Sequence, residues 1–298
     1  MLIKIGSVNM RSQSAMEYLM TYGWAILIIV IVVVVIFNFN LFNPYTFTPK
    51  ISPGACQIIR PDGPGSNVFI SLEGGSNCDG VLPEYTPFFG GSSNISIPAS
   101  MLPEGLTPRT VTAWINPSSE NGNTGVFYYG GVNCNPDGSI FGLILEGTQL
   151  SLWGGCDDST STVSVPLNTW SFVAINYTGS TETFFYDGNA EGSPISYTSD
   201  ACNLSECANA YIGGANGWWG GMFDGYIADV QIYNTSLSTN EIQALYQEGI
   251  GGAPIDLQNI VGWWPLDGNA NDYSGNGNNG VPSGVTYTSN WESGYSAP

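Results

Sequence analysis

The periodicity of the apolar positions divides the chain into two parts. Between Ala15 and Phe42 the only charged residue is Glu17, and the stretch from Trp24 to Phe37 is apolar throughout. This tract matches the roughly 20 residues that a helix needs to span a bilayer. A secretory signal peptide fits poorly, because its apolar region is about 7 to 15 residues long and ends in an A-x-A-like cleavage site that is missing here. The pattern predicts a long hydrophobic α-helix at residues 13–43.

Beyond Pro44 the apolar residues fall into short segments that are rich in aromatic and β-branched side chains. Gly, Asn, Asp or Pro bounds each segment, as is typical of strands separated by turns. The segments are TVTAWINP, GVFYYGG, SIFGLILEG, TQLSLWGG, TWSFVAINY, TETFFYDG, NAYIGG and GYIADVQIY. Their spacing predicts a mainly β protein with an antiparallel sandwich.

Side chains alternate between the two faces of a strand, which predicts the faces of the last of these segments. One face would carry Tyr226, Ala228, Val230 and Ile232, and the other Ile227, Asp229, Gln231 and Tyr233. A short helix, STNEIQALYQEG, follows. We expect Ser238 and Glu241 to form a capping box, Ile242, Leu245 and Tyr246 to form an apolar stripe, and Gly249 to end the helix.

Charge limits both topology and partners. The basic residues before the apolar tract, Lys4 and Arg11, predict a cytoplasmic N-terminus and an extracellular location for everything from Pro44 onward. Without those two residues the chain retains three basic residues against 24 acidic ones. Nucleic acid is therefore not expected as a partner, because it is bound through Lys and Arg.

The cysteines indicate an oxidising compartment, because an even number in an exported chain usually forms disulfides. Proximity along the chain favours the pairs Cys56 with Cys78, Cys134 with Cys156 and Cys202 with Cys207, although other pairings stay open. Metal binding by cysteine is the weaker alternative, since the chain contains no C-x-x-C and no histidine. Four Asn-x-Ser/Thr sequons are candidate glycosylation sites, of which we expect some to carry glycan. They begin at Asn94, Asn176, Asn203 and Asn234.

The N-terminal motif "QSAMEYL", preceded by Arg11 and Ser12, resembles the class III signal peptide of archaeal type IV pilins. The resemblance implies that a prepilin peptidase cuts between Ser12 and Gln13, although the family more often has Gly or Ala before the cut. Residues 1–12 would then be a removed leader. The mature helix would enter the membrane and later form a filament core with other pilin subunits.

The resemblance also explains why a carboxylate lies beside the apolar run. Cleavage would create an α-amine at Gln13, with a reference pKa of about 8, and Glu17 could neutralise it within one helix or between neighbouring subunits. Glu17 is thus an expected assembly residue. The alternative is a plain single-span anchor with Glu17 at the headgroup level.

A second resemblance covers about residues 109–246. The segments RTVTAWINP, WSFVAINYTGSTETFFYDGNAEG, YIGG and MFDGYIADVQIYNTSLSTNEIQALY resemble a laminin-G-like, concanavalin A-like jelly roll. In relatives a strand similar to GWWPLDGNANDYSGNGNNG opens the domain, whereas here it comes last. This order implies a circular permutation that places this strand beside GYIADVQIY. We therefore expect a sandwich over residues 86–298, after a linker and disulfide-containing segment at 44–85 that includes Cys56 and Cys78.

The turn DGNANDYSGNGNNG, at residues 267–280, offers oxygen ligands of the kind that calcium prefers. Relatives of this fold often bind a structural calcium near a sheet edge, so the resemblance implies a candidate site. Its expected ligands are Asp229, Asp267, Asp272, Asn276 and Asn278. The alternative is that Asp, Asn and Gly simply form turns here.

Catalysis is not expected. The paired-carboxylate strand motif of related glycoside hydrolases is absent, and no Ser/His/Asp set can form. The pairs Trp218 with Trp219 and Trp263 with Trp264 could stack sugars, but core packing is the stronger interpretation. Two hypotheses remain. The first is a structural subunit of a pilus-like cell-surface filament that displays a glycosylated sandwich for adhesion. The second is a membrane-anchored surface adhesin or carbohydrate-binding, lectin-like protein that does not polymerise and whose sandwich binds sugar or protein.

Overall fold

The computed structural model describes residues 27–30, 72–73, 82–120, 122–131, 138–202, 209–214, 221–296 and 298. The chain forms two compact units, Met1–Ser52 and Pro53–Pro298. In the first unit residues 27–30 are helical. The rest of the predicted helix at 13–43 lies outside the described residues. No helix within the described ranges has both the length and the apolar character needed to cross a bilayer.

The second unit is an antiparallel β-sandwich, as predicted. Its strands are β1 (Leu72–Glu73), β2 (Leu82–Pro83), β3 (Thr86–Gly90), β4 (Asn94–Pro98), β5 (Arg109–Pro117), β6 (Asn123–Gly130), β7 (Ile140–Glu146), β8 (Gln149–Trp153), β9 (Ser159–Ser164), β10 (Ser171–Tyr177), β11 (Thr181–Tyr186), β12 (Asn189–Ser196), β13 (Asn209–Ile212), β14 (Asp224–Tyr233), β15 (Ile260–Trp264), β16 (Val281–Ser283) and β17 (Thr286–Thr288). The helix α1 (Thr239–Glu248) lies between β14 and β15.

Two sheets build the sandwich, and β1 with β2 forms a separate pair. The eight-stranded sheet has the order β12-β11-β10-β5-β14-β3-β17, with β15 also paired to β14. The seven-stranded sheet has the order β16-β4-β13-β6-β7-β8-β9. The pairing of β15 with β14, which places Trp264 opposite Val230, confirms the neighbouring strands that a permuted jelly roll predicts.

Apolar side chains fill three regions. The main core lies between the sheets and includes Phe127, Phe141 and Trp264. A second cluster lies on the other face of the eight-stranded sheet, where α1 and the C-terminal residues cover Trp114 and Trp263. Burying one large apolar side chain contributes about 1.5 to 3 kcal/mol, so these layers dominate the stability of the sandwich. A third, smaller cluster on the seven-stranded sheet leads to the candidate site.

The predicted faces of β14 are wrong beyond Ala228. A β-bulge interrupts the pairing with β5 between Ala228 and Gln231. Asp229, at the bulge, has a φ of 47°. The extra residue reverses the alternation, so that Ala228 faces the second cluster while Val230 and Ile232 face the main core.

The helix α1 agrees with its prediction. The Ser238 side chain accepts a hydrogen bond from the Glu241 backbone N–H, and the Glu241 carboxylate accepts one from the Ser238 N–H at 2.7 Å. Ile242 and Leu245 are buried, and Gly249 is the C-cap. Ile242 and Leu245 belong to the second cluster, so the apolar face of the helix packs on the outer side of the eight-stranded sheet.

Candidate functional site

A row of side chains crosses the outer face of the seven-stranded sheet. Tyr211 on β13 lies opposite Tyr128 on β6, Tyr128 lies opposite Gly142 on β7, and Gly142 lies opposite Trp153 on β8. In the other direction Tyr211 lies opposite Ser96 on β4. Directly opposed residues share a face of a sheet. Three aromatic rings therefore project from one surface, on the side away from the main core. We call this set the aromatic row.

The rings of the row contact one another. The ring centroids of Tyr128 and Trp153 are 5.2 Å apart, and those of Tyr128 and Tyr211 are 6.4 Å apart. The interplanar angles of these pairs are 36° and 31°. Gly142 makes the closer contact feasible, because a Cβ at this position would lie 3.3 Å from Cδ2 of Tyr128 and 3.4 Å from Cβ of Trp153. Because Gly142 has no side chain, the rings of Tyr128 and Trp153 can contact each other across β7.

Exposure differs from one end of the row to the other. Tyr128 is 1% exposed and Trp153 is 9% exposed, whereas Tyr211 and Ser96 are partly exposed. Val281 on β16, opposite Ser96, is 65% exposed. The Tyr128 hydroxyl donates to the carbonyl of Gly131. Burial, and then the neighbouring Tyr211, raises the pKa of Tyr128 above its usual value. Tyr128 contacts Tyr211, which is the accessible aromatic residue of the row.

Sequence reasoning missed this row. Its members come from five strands, and only the cross-strand register shows that they share a surface. The tryptophans considered from the sequence are placed differently. Trp263 and Trp264 are 2% and 0% exposed, which confirms the core interpretation for this pair. Trp218 and Trp219 lie outside the described residues.

Asp229 forms a buried polar network. Its Oδ1 accepts a hydrogen bond from Trp263 Nε1 at 2.8 Å, and both carboxylate oxygens lie 3.1 Å from the donor Nε2 of Gln231. The Tyr233 hydroxyl donates to Gln231 Oε1 at 2.5 Å. Burial raises the pKa of Asp229 to about 7, against the opposing effect of the hydrogen bonds from Gln231 and Trp263.

The other candidate calcium ligands make turn hydrogen bonds. Asp272 accepts from the backbone N–H groups of Trp263, Ser274 and Asn278 at 2.8 to 3.0 Å. The amides of Asn276 and Asn278 donate to strand carbonyls, both reaching that of Val261. These contacts fix the turn after β15 on the strand that precedes it.

Asp267 receives a 2.8 Å hydrogen bond from the N–H of Tyr85. Within the described ranges no three His, Cys, Asp or Glu side chains are grouped so that they could hold a metal ion. Calcium binding by Asp229 and the turn stays a prediction. A ligand that binds only the folded form raises the melting temperature with its concentration, so a higher midpoint with calcium than with chelator would support it. Equal melting midpoints with calcium and with chelator would indicate that these residues form the turn and do not bind calcium.

The described part of the chain includes two of the six cysteines and three of the four sequons. Cys156 and Cys202 are disulfide-bonded, and the predicted partners and the third pair lie outside the described residues. The Asn176 side chain is 8% exposed, accepts from Thr110 Oγ1 and donates to the Leu237 carbonyl. A glycan on Asn176 would require these hydrogen bonds to break, so glycosylation at this sequon stays a prediction that the burial disfavours.

The remaining sequons and the processing motif are distributed differently. Asn234 is exposed and Asn94 is partly exposed, so both could carry glycan. Asn203 lies outside the described residues, as do the processing residues Ser12 and Gln13 and the assembly residue Glu17. Their roles stay predictions.

The two antiparallel sheets, with β15 paired to β14, form a jelly-roll sandwich. A model of the concanavalin A-like lectin/glucanases superfamily matches residues 89–243. Because this match covers more than half of the chain, the chain belongs to that superfamily. A search of curated proteins gave no significant match.

Solved structures with a similar fold are distant in sequence. A candidate carbohydrate-binding protein from Bacteroides ovatus is 19% identical with a TM-score of 0.53, and the alignment covers 70% of this chain and 60% of that one. This chain therefore spans less than two thirds of that protein. At such an identity the likeness shows the fold.

Two further structures are weaker matches. Domain 4 of AbnA, an extracellular arabinanase from Geobacillus stearothermophilus in complex with arabinotriose, is 18% identical with a TM-score of 0.44 over 64% of this chain and 86% of that one. The CBM40 of the Ruminococcus gnavus IT-sialidase, bound to sialyllactose, is 17% identical with a TM-score of 0.40 over 47% of this chain and 83% of that one.

Proposed function

We propose that the sandwich is a non-catalytic, lectin-like domain that binds carbohydrate at the accessible end of the aromatic row. The observation that carries this proposal is the position of Tyr211, which is partly exposed on the outer face of the seven-stranded sheet and contacts the buried ring of Tyr128. The fold neighbour from Bacteroides ovatus, described as a candidate carbohydrate-binding protein, supports the same class of ligand.

The chemistry of the row suits a sugar. One face of a pyranose presents C–H groups, which pack on an aromatic ring, while its edge presents hydroxyl groups that need hydrogen-bond partners. A tyrosine supplies both an apolar ring and a polar hydroxyl. Ser96 adds a hydroxyl beside Tyr211, and Val281 extends the apolar surface. Sites for small ligands commonly combine an apolar lining with a few polar groups in this way.

A glycan array probed with the full-length protein tests the proposal. Binding of the protein to a subset of printed oligosaccharides is the expected result. Tyr211→Ala should lose most of that signal, because the accessible stacking surface is removed. Tyr85→Ala is a matched control, because Tyr85 is 37% exposed and precedes the eight-stranded sheet. Absence of binding to any printed sugar would contradict the lectin function.

The N-terminal motif supports a second proposal, that this domain is displayed on a pilus-like cell-surface filament. The observation that favours it is the basic leader, Gln13 and Glu17 before a long apolar tract. In this proposal prepilin peptidase, the membrane and other pilin subunits are the partners of the N-terminal segment, and the sandwich serves adhesion. A lectin that stays on a single-span anchor is the alternative.

Two measurements separate the filament from the anchor. Mass spectrometry of the mature N-terminus should find Gln13 at the start. A start at Met1, or beyond Phe42, would remove the pilin argument. Replacement of Glu17 by Ala should reduce the yield of sheared filaments, because the Gln13 amine loses its partner. A normal yield would favour the plain anchor.

A further inference from the structure

The basic residues of the sandwich are exceptionally few. Between residues 82 and 298 the sequence contains one Lys or Arg, Arg109, and no histidine. The same stretch contains 20 acidic residues. The position of Arg109 therefore decides whether this part of the protein can present a positive charge to a ligand.

Arg109 is 0% exposed. Its Nε donates to the Thr107 carbonyl at 2.9 Å, its Nη1 donates to the Pro103 carbonyl at 3.0 Å, and its Nη2 donates to the Gly105 carbonyl. The guanidinium also lies 5.0 Å from the ring centroid of Phe141. Backbone carbonyls and aromatic rings thus bind the guanidinium of Arg109 in the interior, where a ligand cannot reach it. No positive side chain faces solvent anywhere from residue 82 to residue 298.

Carboxylates lie on the strands and turns of the aromatic row. Glu146 is exposed at the end of β7, the strand that contributes Gly142, and accepts a 3.0 Å hydrogen bond from Thr160 Oγ1. Asp158 is exposed and accepts a 2.8 Å hydrogen bond from the N–H of Gly154, the residue after Trp153. Both carboxylates therefore lie on the β7–β8 side of the row, at least two strands from Tyr211, and no exposed basic side chain from residue 82 to residue 298 balances them.

We infer that the aromatic row takes neutral glycans and rejects glycans that carry carboxylate or sulfate groups. This inference rests on the proposed carbohydrate-binding function and specifies its ligand class. A site that binds a carboxylate or sulfate normally supplies Arg or Lys, whose charged hydrogen bonds offset the loss of hydration of the anion. The row offers hydroxyl groups and rings instead.

The field around the row adds to this discrimination. Strands in a sheet are about 4.8 Å apart, so Glu146 and Asp158 lie more than about 10 Å from Tyr211. At such distances two unit charges in water interact by about 0.4 kcal/mol or less, so this repulsion is a small addition to the lack of a cationic partner. Salt reduces the effect, since the Debye length is about 8 Å at physiological ionic strength. A neutral sugar loses nothing to this field. The difference in affinity between neutral and acidic glycans should therefore decrease as salt is added, while the affinity for neutral glycans stays constant.

The test compares matched glycans on the full-length protein. An array carries neutral oligosaccharides and the sialylated and sulfated derivative of each, and is probed at about 0.05 M and about 0.5 M salt. We expect each acidic derivative to bind at least about tenfold more weakly than its neutral parent at low salt, and the ratio to narrow at high salt. Equal or tighter binding of the acidic forms would overturn the inference and leave the lectin function intact. Failure of every neutral and acidic glycan to bind would overturn the lectin function itself.

A charge variant assigns the effect to the row. The double substitution Glu146→Gln and Asp158→Asn keeps an acceptor for Thr160 and for the Gly154 N–H and removes both charges. It should narrow the ratio between neutral and acidic affinities. The control Glu292→Gln removes an exposed charge from the C-terminal residues beside Trp291, which pack on the other sheet, and should leave the ratio unchanged. An unaltered ratio in the double variant would contradict a contribution of Glu146 and Asp158 to the discrimination, and would assign all of it to the lack of a cationic partner.

Discussion

The indole Nε1 of Trp263 donates a 2.8 Å hydrogen bond to Oδ1 of Asp229, which is 3% exposed. Asp229 has a positive φ at the bulge of β14, so a strained backbone and a buried carboxylate coincide at one residue. Burial, and then the Asp229 charge, also raises the pKa of Glu248 at the end of α1 to about 7. The network therefore couples the closing strand and the helix to the protonation of carboxyl groups.

We predict that the sandwich is more stable at mildly acidic pH than at neutral pH. The folded pKa of Asp229 is raised from 3.8 to about 7, so the folded state favours the neutral carboxyl group. That stability is fully present below the unfolded pKa and is lost as pH rises through about 7. A shift of one pKa unit corresponds to about 1.4 kcal/mol, so Asp229 alone changes the unfolding free energy by a few kcal/mol.

Urea unfolding of the full-length protein between about pH 4 and pH 8 measures how the free energy of unfolding depends on pH. Asp229→Asn should flatten it, because the amide keeps the acceptor for Trp263 Nε1 and does not ionise. Asn also tolerates the positive φ of this position. Asp224→Asn on the same strand is the control. A wild-type profile that is flat, or that rises toward pH 8, would contradict the assignment.

Glu182 should contribute a second, separate pH effect. Its side chain is 0% exposed, Oε1 accepts from Ser159 Oγ, and Oε2 has no hydrogen-bond partner within the described part of the chain. Burial raises its pKa to about 7, opposed by the Ser159 hydrogen bond and assisted by Asp157. Glu182→Gln should stabilise the protein at pH 8 and change its stability little near pH 4. The midpoint of unfolding at the two pH values decides, and an equal effect at both would rule out ionisation as the cause.

Gly142 should be required for the contact between the rings of the row. Gly142→Ala places a methyl group 3.3 Å from Tyr128 Cδ2 and 3.4 Å from Trp153 Cβ, so one ring must move. We expect a destabilisation of about 1 to 3 kcal/mol, as for other overpacked sites. Gly90→Ala is a suitable control, because its nearest neighbour would be 3.6 Å away and its φ is not in the left-handed region. A Gly142→Ala variant as stable as Gly90→Ala would show that the row is loosely packed.

Local patterns were sufficient for some of these features and insufficient for others. The capping box of Ser238 and Glu241 was predictable, because both partners lie within one helical turn. The faces of β14 were not predictable, because a two-residue repeat gives no sign of the extra residue that forms the bulge at Asp229. The Asp, Asn and Gly of the final turn fit a turn or a metal site equally well from sequence.

The aromatic row depends on register, which the sequence does not contain explicitly. Tyr128, Trp153 and Tyr211 come from three separate strands, and each belongs to a segment whose aromatic residues could face either side of the sheet. A shift of one residue in any pairing would turn its ring toward the core. Family membership fixes the order of strands, but this surface arises from the side chains of this chain.

The affinity of Tyr211→Ala for a neutral oligosaccharide tests the central claim most directly. Isothermal titration of the full-length protein with the neutral glycan that binds best on the array should give a loss of about tenfold or more for Tyr211→Ala, which is about 1.4 kcal/mol, because the sugar loses its stacking surface. Tyr85→Ala should bind as the wild type does. Equal affinities of wild type and Tyr211→Ala, with both proteins folded, would contradict a carbohydrate site on the aromatic row.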